Sequence, residues 1–204
     1  MLEAPALARL GDFLDLLDTW NRRIHLTGDR ERHLILGRHL VDSLAPARHL
    51  PASGLVIDVG SGAGFPGIVL ACVRPDVALA LIDSRRRRIS FLREVIRTLA
   101  LPQARAFELR AEEARREPEL AARGDVVIAR ALRVDEFLAL AAPLLAPSGV
   151  AIAMQTPGRQ RAAEAAGESY RLPLQRVVSY EPSPGRRRSL LFFARPGGSD
   201  SPVS

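Results

Sequence analysis

Apolar residues in the first fifty positions recur with a helical period. Phe13, Leu16, Leu17 and Trp20 fall at i, i+3, i+4 and i+7, one stripe of an amphipathic helix. Thr27-Gly28-Asp29 interrupts the pattern, and Leu34, Ile35, Leu40, Val41 and Leu44 resume it until Pro46. From Gly54 the period changes. Short β-prone runs at 55–60, 77–83, 104–109, 125–129 and 149–154 alternate with helical segments near 66–73, 85–99 and 133–145. Such alternation predicts a doubly wound, mostly parallel α/β sheet with helices on both faces. Residues 171–184 and 186–195 predict two more strands joined by a Pro/Gly/Arg loop, an antiparallel pair at the sheet edge. One domain is expected: an N-terminal helical extension (1–50), the core (51–195) and a disordered polar tail (196–204).

Charge narrows the class of partner. The 204 residues carry 29 basic side chains, all arginine, against 23 acidic ones, a formal net charge of +6. A basic surface concentrates polyanions and suits RNA, DNA or anionic lipid. The single cysteine, Cys72, excludes an intramolecular disulfide and a cysteine-rich metal site, and its apolar setting, GIVLACV, reads as core. The longest apolar candidate, Leu138 to Ala146, is too short to span a bilayer and contains Pro143. Acidic residues occupy the first twenty positions, unlike a signal peptide. The expectation is a cytoplasmic protein, a monomer, with no metal and no membrane partner.

The densest chemical signal is Asp58-Val-Gly60-Ser-Gly62-Ala-Gly64-Phe65-Pro66-Gly67, directly after the first predicted strand. Glycines let backbone approach a ligand and accept left-handed conformations, and in a doubly wound sheet this turn lies where ligands bind. A dinucleotide fingerprint wants glycine where this chain has Phe65. The spacing G-x-G-x-G, with Asp58 two residues earlier, is instead the form found in S-adenosylmethionine methyltransferases. Asp83 closes the second strand, where a carboxylate can accept from a ribose diol; it fits either nucleoside. Ala111-Glu112-Glu113 follows the third strand, near the place of an adenine, and Arg130 follows the fourth, facing the cleft. The runs Arg85–Arg88 and Arg186–Arg188 are positioned for RNA phosphates.

Several absences bear on the reaction. The chain has no Asn/Asp-Pro-Pro-aromatic tetrapeptide, no lysine for a Lys-Asp-Lys-Glu ribose site, and no exposed cysteine candidate for attack on cytosine. A target that is already a nucleophile needs none of these. Guanine N7 carries a lone pair and no proton, so catalysis there reduces to proximity and orientation.

With these residues in view, the chain resembles the ribosomal RNA small subunit methyltransferase G family, also called glucose-inhibited division protein B, over about residues 12–195. The resemblance runs through Trp20-Asn21, Leu26-Thr27, Arg38-His39-x-x-Asp42-Ser43, the glycine loop, Leu81-Ile-Asp83-Ser84, Phe91-Leu92, Ala111-Glu112-Glu113 and Arg130-Ala131. It implies a Rossmann-like enzyme that methylates N7 of a guanine in 16S rRNA or the small ribosomal subunit. It also implies S-adenosylmethionine as cofactor, with contacts at Gly60, Phe65, Ala111, Glu112 and Arg130. Asp58, Gly62, Gly64 and Asp83 complete the expected cofactor set, and His39 and Arg130 are candidates beside the substrate. Two departures stand out. Met154-Gln155-Thr-Pro-Gly158 replaces the family's Leu-Lys-Gly, so that Arg159 or Arg161 would have to cover for a missing lysine; Arg188-Ser189 replaces Arg-His. A small-molecule methyltransferase and a non-catalytic RNA-binding module remain the alternatives.

Overall fold

The computed structural model describes residues 2–29 and 31–197. Helix α1 (Ala4–Ile24) begins nine residues before the first stripe residue picked out by periodicity, with a proline in its first turn, where the missing N–H costs nothing. Residues 32–49 are one run of helical turns whose pitch changes: α2 (Arg32–Ile35), a π turn (Leu36–Leu40), α3 (Val41–Leu44) and a 3₁₀ turn (Ala45–His49). The core follows as β1 (Leu55–Val59), α4 (Gly67–Val73), β2 (Ala78–Asp83), α5 (Arg86–Thr98), β3 (Ala104–Glu108) and a 3₁₀ turn at Ala111–Arg116. It continues through β4 (Gly124–Arg130), α6 (Val134–Ala141), β5 (Leu145–Gln155), α7 (Gln160–Ser169), β6 (Leu174–Tyr180) and β7 (Arg188–Ala194).

The strand order is β3-β2-β1-β4-β5-β7-β6. Strands β1 to β5 pair in parallel, and β7 alone runs against its neighbours, inserted between β5 and β6. The expected edge pair is thus present. Helix α7 escaped the periodicity reading because its buried residues, Ala163, Ala166 and Gly167, are small and leave no strong apolar stripe. The expected tail lies largely outside the described residues.

Alternation along each strand sends neighbouring side chains to opposite faces. Val56, Leu79, Leu81, Val126, Ile128, Ile152, Met154, Leu190 and Phe192 join one apolar cluster with α1, α4 and α5. Ile57, Ala80, Ile82, Val127, Ala129, Ala151, Ala153, Leu191 and Phe193 join a second with α6 and α7. The N-terminal helices therefore cover the face that α4 and α5 leave open. Cys72 is buried in the first cluster, as its sequence setting predicts, and burial pushes its thiol up to about 12. His49, at the end of the 3₁₀ turn, is buried edge-on against Phe192 at 5.2 Å, with Nδ1 unpartnered.

Phe13 is the joint between extension and core. Fully buried, it meets Phe65 of the glycine loop at 5.3 Å and Phe91 of α5 at 6.3 Å. Trp20 adds a second contact to Phe91 at 5.7 Å. Truncating a buried phenylalanine removes transfer energy and leaves a cavity, a loss of about 3–5 kcal/mol. Phe13→Ala is expected to lose that much in urea unfolding, and a loss below about 1 kcal/mol would mean that the extension does not depend on this joint.

Candidate active site

The glycine loop is held rigidly at the carboxyl edge of β1 and β2. Gly60, Gly62 and Gly64 adopt φ of +74°, +57° and +89°, the left-handed region that side chains disfavour. The N–H groups of Gly60 and Ser61 both donate to the Ile82 carbonyl at 2.9 Å, and the Ser61 hydroxyl donates to the Asp58 carbonyl at 2.9 Å. Gly67, at the start of α4, donates to Asp58 Oδ2 at 3.0 Å and has no room for a Cβ, which would lie 2.2 Å from Leu81. Gly60 is the opposite case, because a Cβ there would meet nothing within 4 Å. Open space therefore borders the loop at Gly60. The other oxygen of Asp58, Oδ1, is buried and unpartnered, and burial pushes this carboxyl up to about 7 against the opposing pull of Ser61, Gly67 and Arg130.

Asp83 closes β2 beside the loop. Its oxygens accept from the N–H groups of Gly62 (3.1 Å) and Arg85 (2.8 Å) and from the Arg88 guanidinium (3.2 Å). A carboxylate has about four acceptor positions, so one stays open toward a further donor. Arg88 is thus turned inward, whereas Arg85, Arg86 and Arg87 are exposed. Ala111 and Glu112 open the 3₁₀ turn after β3, with Glu112 exposed and Glu113 accepting from the Arg110 N–H at 3.2 Å.

Arg130 ends β4, and Ala131 after it is left-handed at φ +68°, a conformation that costs a non-glycine residue about 1–2 kcal/mol. The guanidinium lies over the Phe65 ring at 5.5 Å. It also reaches into the N-terminal helices, donating to the His39 carbonyl at 3.3 Å, to His39 Nδ1, and to Asp42 Oδ2 and Ser43 Oγ at 3.5 Å. Burial lowers its proton affinity and Asp42 raises it. Asp42, itself buried, accepts from the Tyr180 hydroxyl at 2.6 Å and lies 3.9 Å from Arg188 Nε. The His39 ring stacks on Phe65 at 5.4 Å, and its Nε2 meets Asp29 Oδ2 at 3.0 Å. Burial, then Arg130, lowers the pKa of His39, which keeps Nδ1 free to accept from Arg130. Asn21 sets the position of Asp29: its side chain accepts from the Thr27 N–H at 3.0 Å and donates to the Asp29 carbonyl at 3.3 Å.

Beyond Arg130 a basin of about 990 Å³ opens between the ends of β4 and β5, α7 and the β6–β7 loop. Its walls include Arg130, Asp42, Gln155, Arg159, Arg186 and Arg188. Gln155 donates to the Leu132 carbonyl at 2.7 Å, tying β5 to the loop after β4. Of the two arginines expected to replace the missing lysine, Arg159 lines the basin and Arg161 does not. Asp58, Gly60, Gly62, Gly64, Phe65 and Asp83 gather at one edge, Arg130 and His39 meet over Phe65, and Ala111 and Glu112 stand on the loop after the adjoining strand. Asp42, Asp29 and Tyr180 had no role assigned from sequence. The available signal was Asp42, an acid inside the apolar run Leu40-Val41-Asp42-Ser43-Leu44. Among the described residues no three or more His, Cys, Asp or Glu side chains converge on a metal position, and no helix is long and apolar enough to cross a membrane.

The rRNA small subunit methyltransferase G family model matches residues 6–190. The protein of that name from Geobacter sp. (strain M21) is 36% identical over 204 aligned residues, covering 95% of this chain and 91% of that one. The Halorhodospira halophila protein of the same name is 49% identical over 111 residues, 54% of this chain and 53% of its own. Among solved structures, M. jannaschii TYW2 in complex with AdoMet aligns with a TM-score of 0.60 at 19% identity, over 77% of this chain and 76% of that chain, a likeness of fold.

Removing one partner of a buried ion pair costs about 3–5 kcal/mol, since the other charge is left uncompensated. Asp42→Asn is expected to lose that much in urea unfolding. With Arg130→Met added, the double variant should lose less than the sum of the two single variants. Additive losses would show that the two groups are not energetically coupled.

Proposed function

This chain belongs to the rRNA small subunit methyltransferase G family, and we propose that it methylates N7 of a guanine in 16S rRNA, with S-adenosylmethionine at the glycine loop and the target nucleotide in the arginine-lined basin. The observation that carries the assignment of the two sites is Arg130. It lies over Phe65 of the loop and also lines the basin, so the two sites share a wall.

The residues present fit this cofactor. The space at Gly60 admits a ligand against bare backbone, Asp83 retains an acceptor position for a ribose hydroxyl, and the unpartnered Asp58 Oδ1 suits an ammonium group. Ala111 and Glu112 would border the adenine. When bound, the cofactor supplies a methyl group on a positively charged sulfur. The chain's part is to orient and exclude water. Guanine N7 has no proton to lose, so no general base is required. Asp42, the buried carboxylate of the basin wall, is held by Tyr180, Arg130 and Arg188 and is not presented as a base. Arg130 keeps its charge at any working pH and fixes the wall between the two sites.

Incubating the protein with labelled cofactor and 16S rRNA, followed by nucleoside mass spectrometry, should give labelled 7-methylguanosine. Label in a different nucleoside would overturn the assignment. A second measurement addresses Asp58. Its ionised form is the one that pairs with an ammonium, so S-adenosylhomocysteine should bind more tightly as pH rises through about 7. Asp58→Asn should flatten that rise. The wild type showing the same flat profile would place the ammonium elsewhere.

A further inference from the structure

The basin holds more positive charge than its own carboxylates balance. Arg130, Arg133, Arg159, Arg186 and Arg188 face only Asp42 and Asp135, a formal excess of three charges, because guanidinium groups do not lose their protons in proteins. Arg133 pairs with Asp135 at 2.9 Å on the exposed rim. Asp42 is shared by Arg130 at 3.5 Å and Arg188 at 3.9 Å. Among the described residues, Arg159 and Arg186 have no carboxylate within ion-pair distance, although Asp42 and Asp29 act on Arg186 from further away.

Arg186 is not a loose surface side chain. The loop that carries it is fixed by the Gly185 N–H donating to Glu181 Oε1 at 2.6 Å and the Arg186 N–H donating to the Ser183 carbonyl at 2.9 Å. Gly185 takes φ +76°, which its lack of a side chain permits. The Arg186 side chain is half-buried, and its Nη1 is buried with no acceptor. A buried charged donor without an acceptor is unfavourable unless an anion completes it. Burial, Arg188 and Arg38 lower the proton affinity of Arg186, and the more distant Asp42 and Asp29 oppose them. Arg187, one residue along, is exposed. The arginine run expected to face RNA as a unit is therefore split: Arg186 and Arg188 line the basin and Arg187 does not.

We propose that Arg186 and Arg188 form a phosphate-binding subsite inside the basin, which grips the phosphate of the target nucleotide itself. The proposal rests on the reading that the basin receives that nucleotide. Planar guanidinium forks match phosphate oxygens two at a time, and a phosphate supplies the anion that the wall lacks. The volume of about 990 Å³ is at the upper end of small-molecule pockets, about 300–1,000 Å³, so sugar and base fit beside the phosphate. Anchoring by phosphate fixes register without reading the base, which leaves base selection to the wall around Arg130 and Gln155.

The test compares guanosine, guanosine 5′-monophosphate and inorganic phosphate as ligands of the full chain saturated with S-adenosylhomocysteine, by ligand-detected NMR titration. The wild type should prefer the monophosphate over guanosine about ten- to hundredfold, the range of a charge-assisted contact. Arg186→Gln and Arg188→Gln should erase the preference, and Arg187→Gln should keep it. If Arg188→Gln unfolds through loss of its Asp42 contact, Arg186→Gln alone decides. Equal binding of guanosine and its monophosphate, or a preference that survives Arg186→Gln, overturns the subsite. Inorganic phosphate binding as tightly as the monophosphate overturns it too, leaving a site for a free anion. Failure of the underlying reading shows separately, as wild-type protein that leaves guanine in rRNA unmethylated.

Discussion

A carboxylate on the N-terminal helices faces a guanidinium at the end of the central sheet, the first buried and the second largely so. Desolvating two charges is expensive, and a buried pair seldom repays that cost in stability alone. Asp42 and Arg130 are tolerable where they are because every nearby group is arranged around them. Tyr180 and Arg188 attend the carboxylate, and His39, Ser43 and a backbone carbonyl attend the guanidinium. The consequence is geometric. The extension can seat on the sheet in only one register, since sliding it would strand both charges. Ala131, directly after Arg130, is left-handed.

The N-terminal extension is therefore part of the candidate site. Asn21 folds the loop after α1 so that Asp29 reaches His39, and His39 stacks on Phe65 while accepting from Arg130. The π turn at Leu36–Leu40 carries His39 into that position, and such turns recur where a helix must present a functional side chain. One wall thus has three sources: a glycine loop, a strand end and a helical layer.

How much of this was legible in the chain differs by element. The doubly wound sheet was, because β1, β2 and β4 are short apolar runs between amphipathic helices, a pattern set by burial on both faces. The glycine loop was legible because left-handed backbone there demands glycine. Helix α7 was not, since alanine-lined packing has no strong period. Asp42 was visible in its motif but not its role, which depends on Tyr180, 138 residues later, and Arg130, 88 residues later. The burial of His49 was not legible, because a polar residue packed against Phe192 looks like any other polar residue in sequence. Periodicity reports which face of an element is covered; it does not report which distant side chains meet.

The position of Tyr180 has a consequence for how the protein is made. Five parallel strands and the glycine loop are complete by Gln155, yet Asp42 lacks its phenol until the chain reaches 180 and its second arginine until 188. Synthesis runs at roughly 5–20 residues per second, so an emerging chain carries the unfinished carboxylate for about seven seconds or longer. A product stopped short of β6 would keep the glycine loop but lack the basin wall formed by Arg186 and Arg188. Completion of the cluster around Asp42 is thereby timed to the last strands of the chain, and a broken message yields the glycine loop without the partners of that carboxylate.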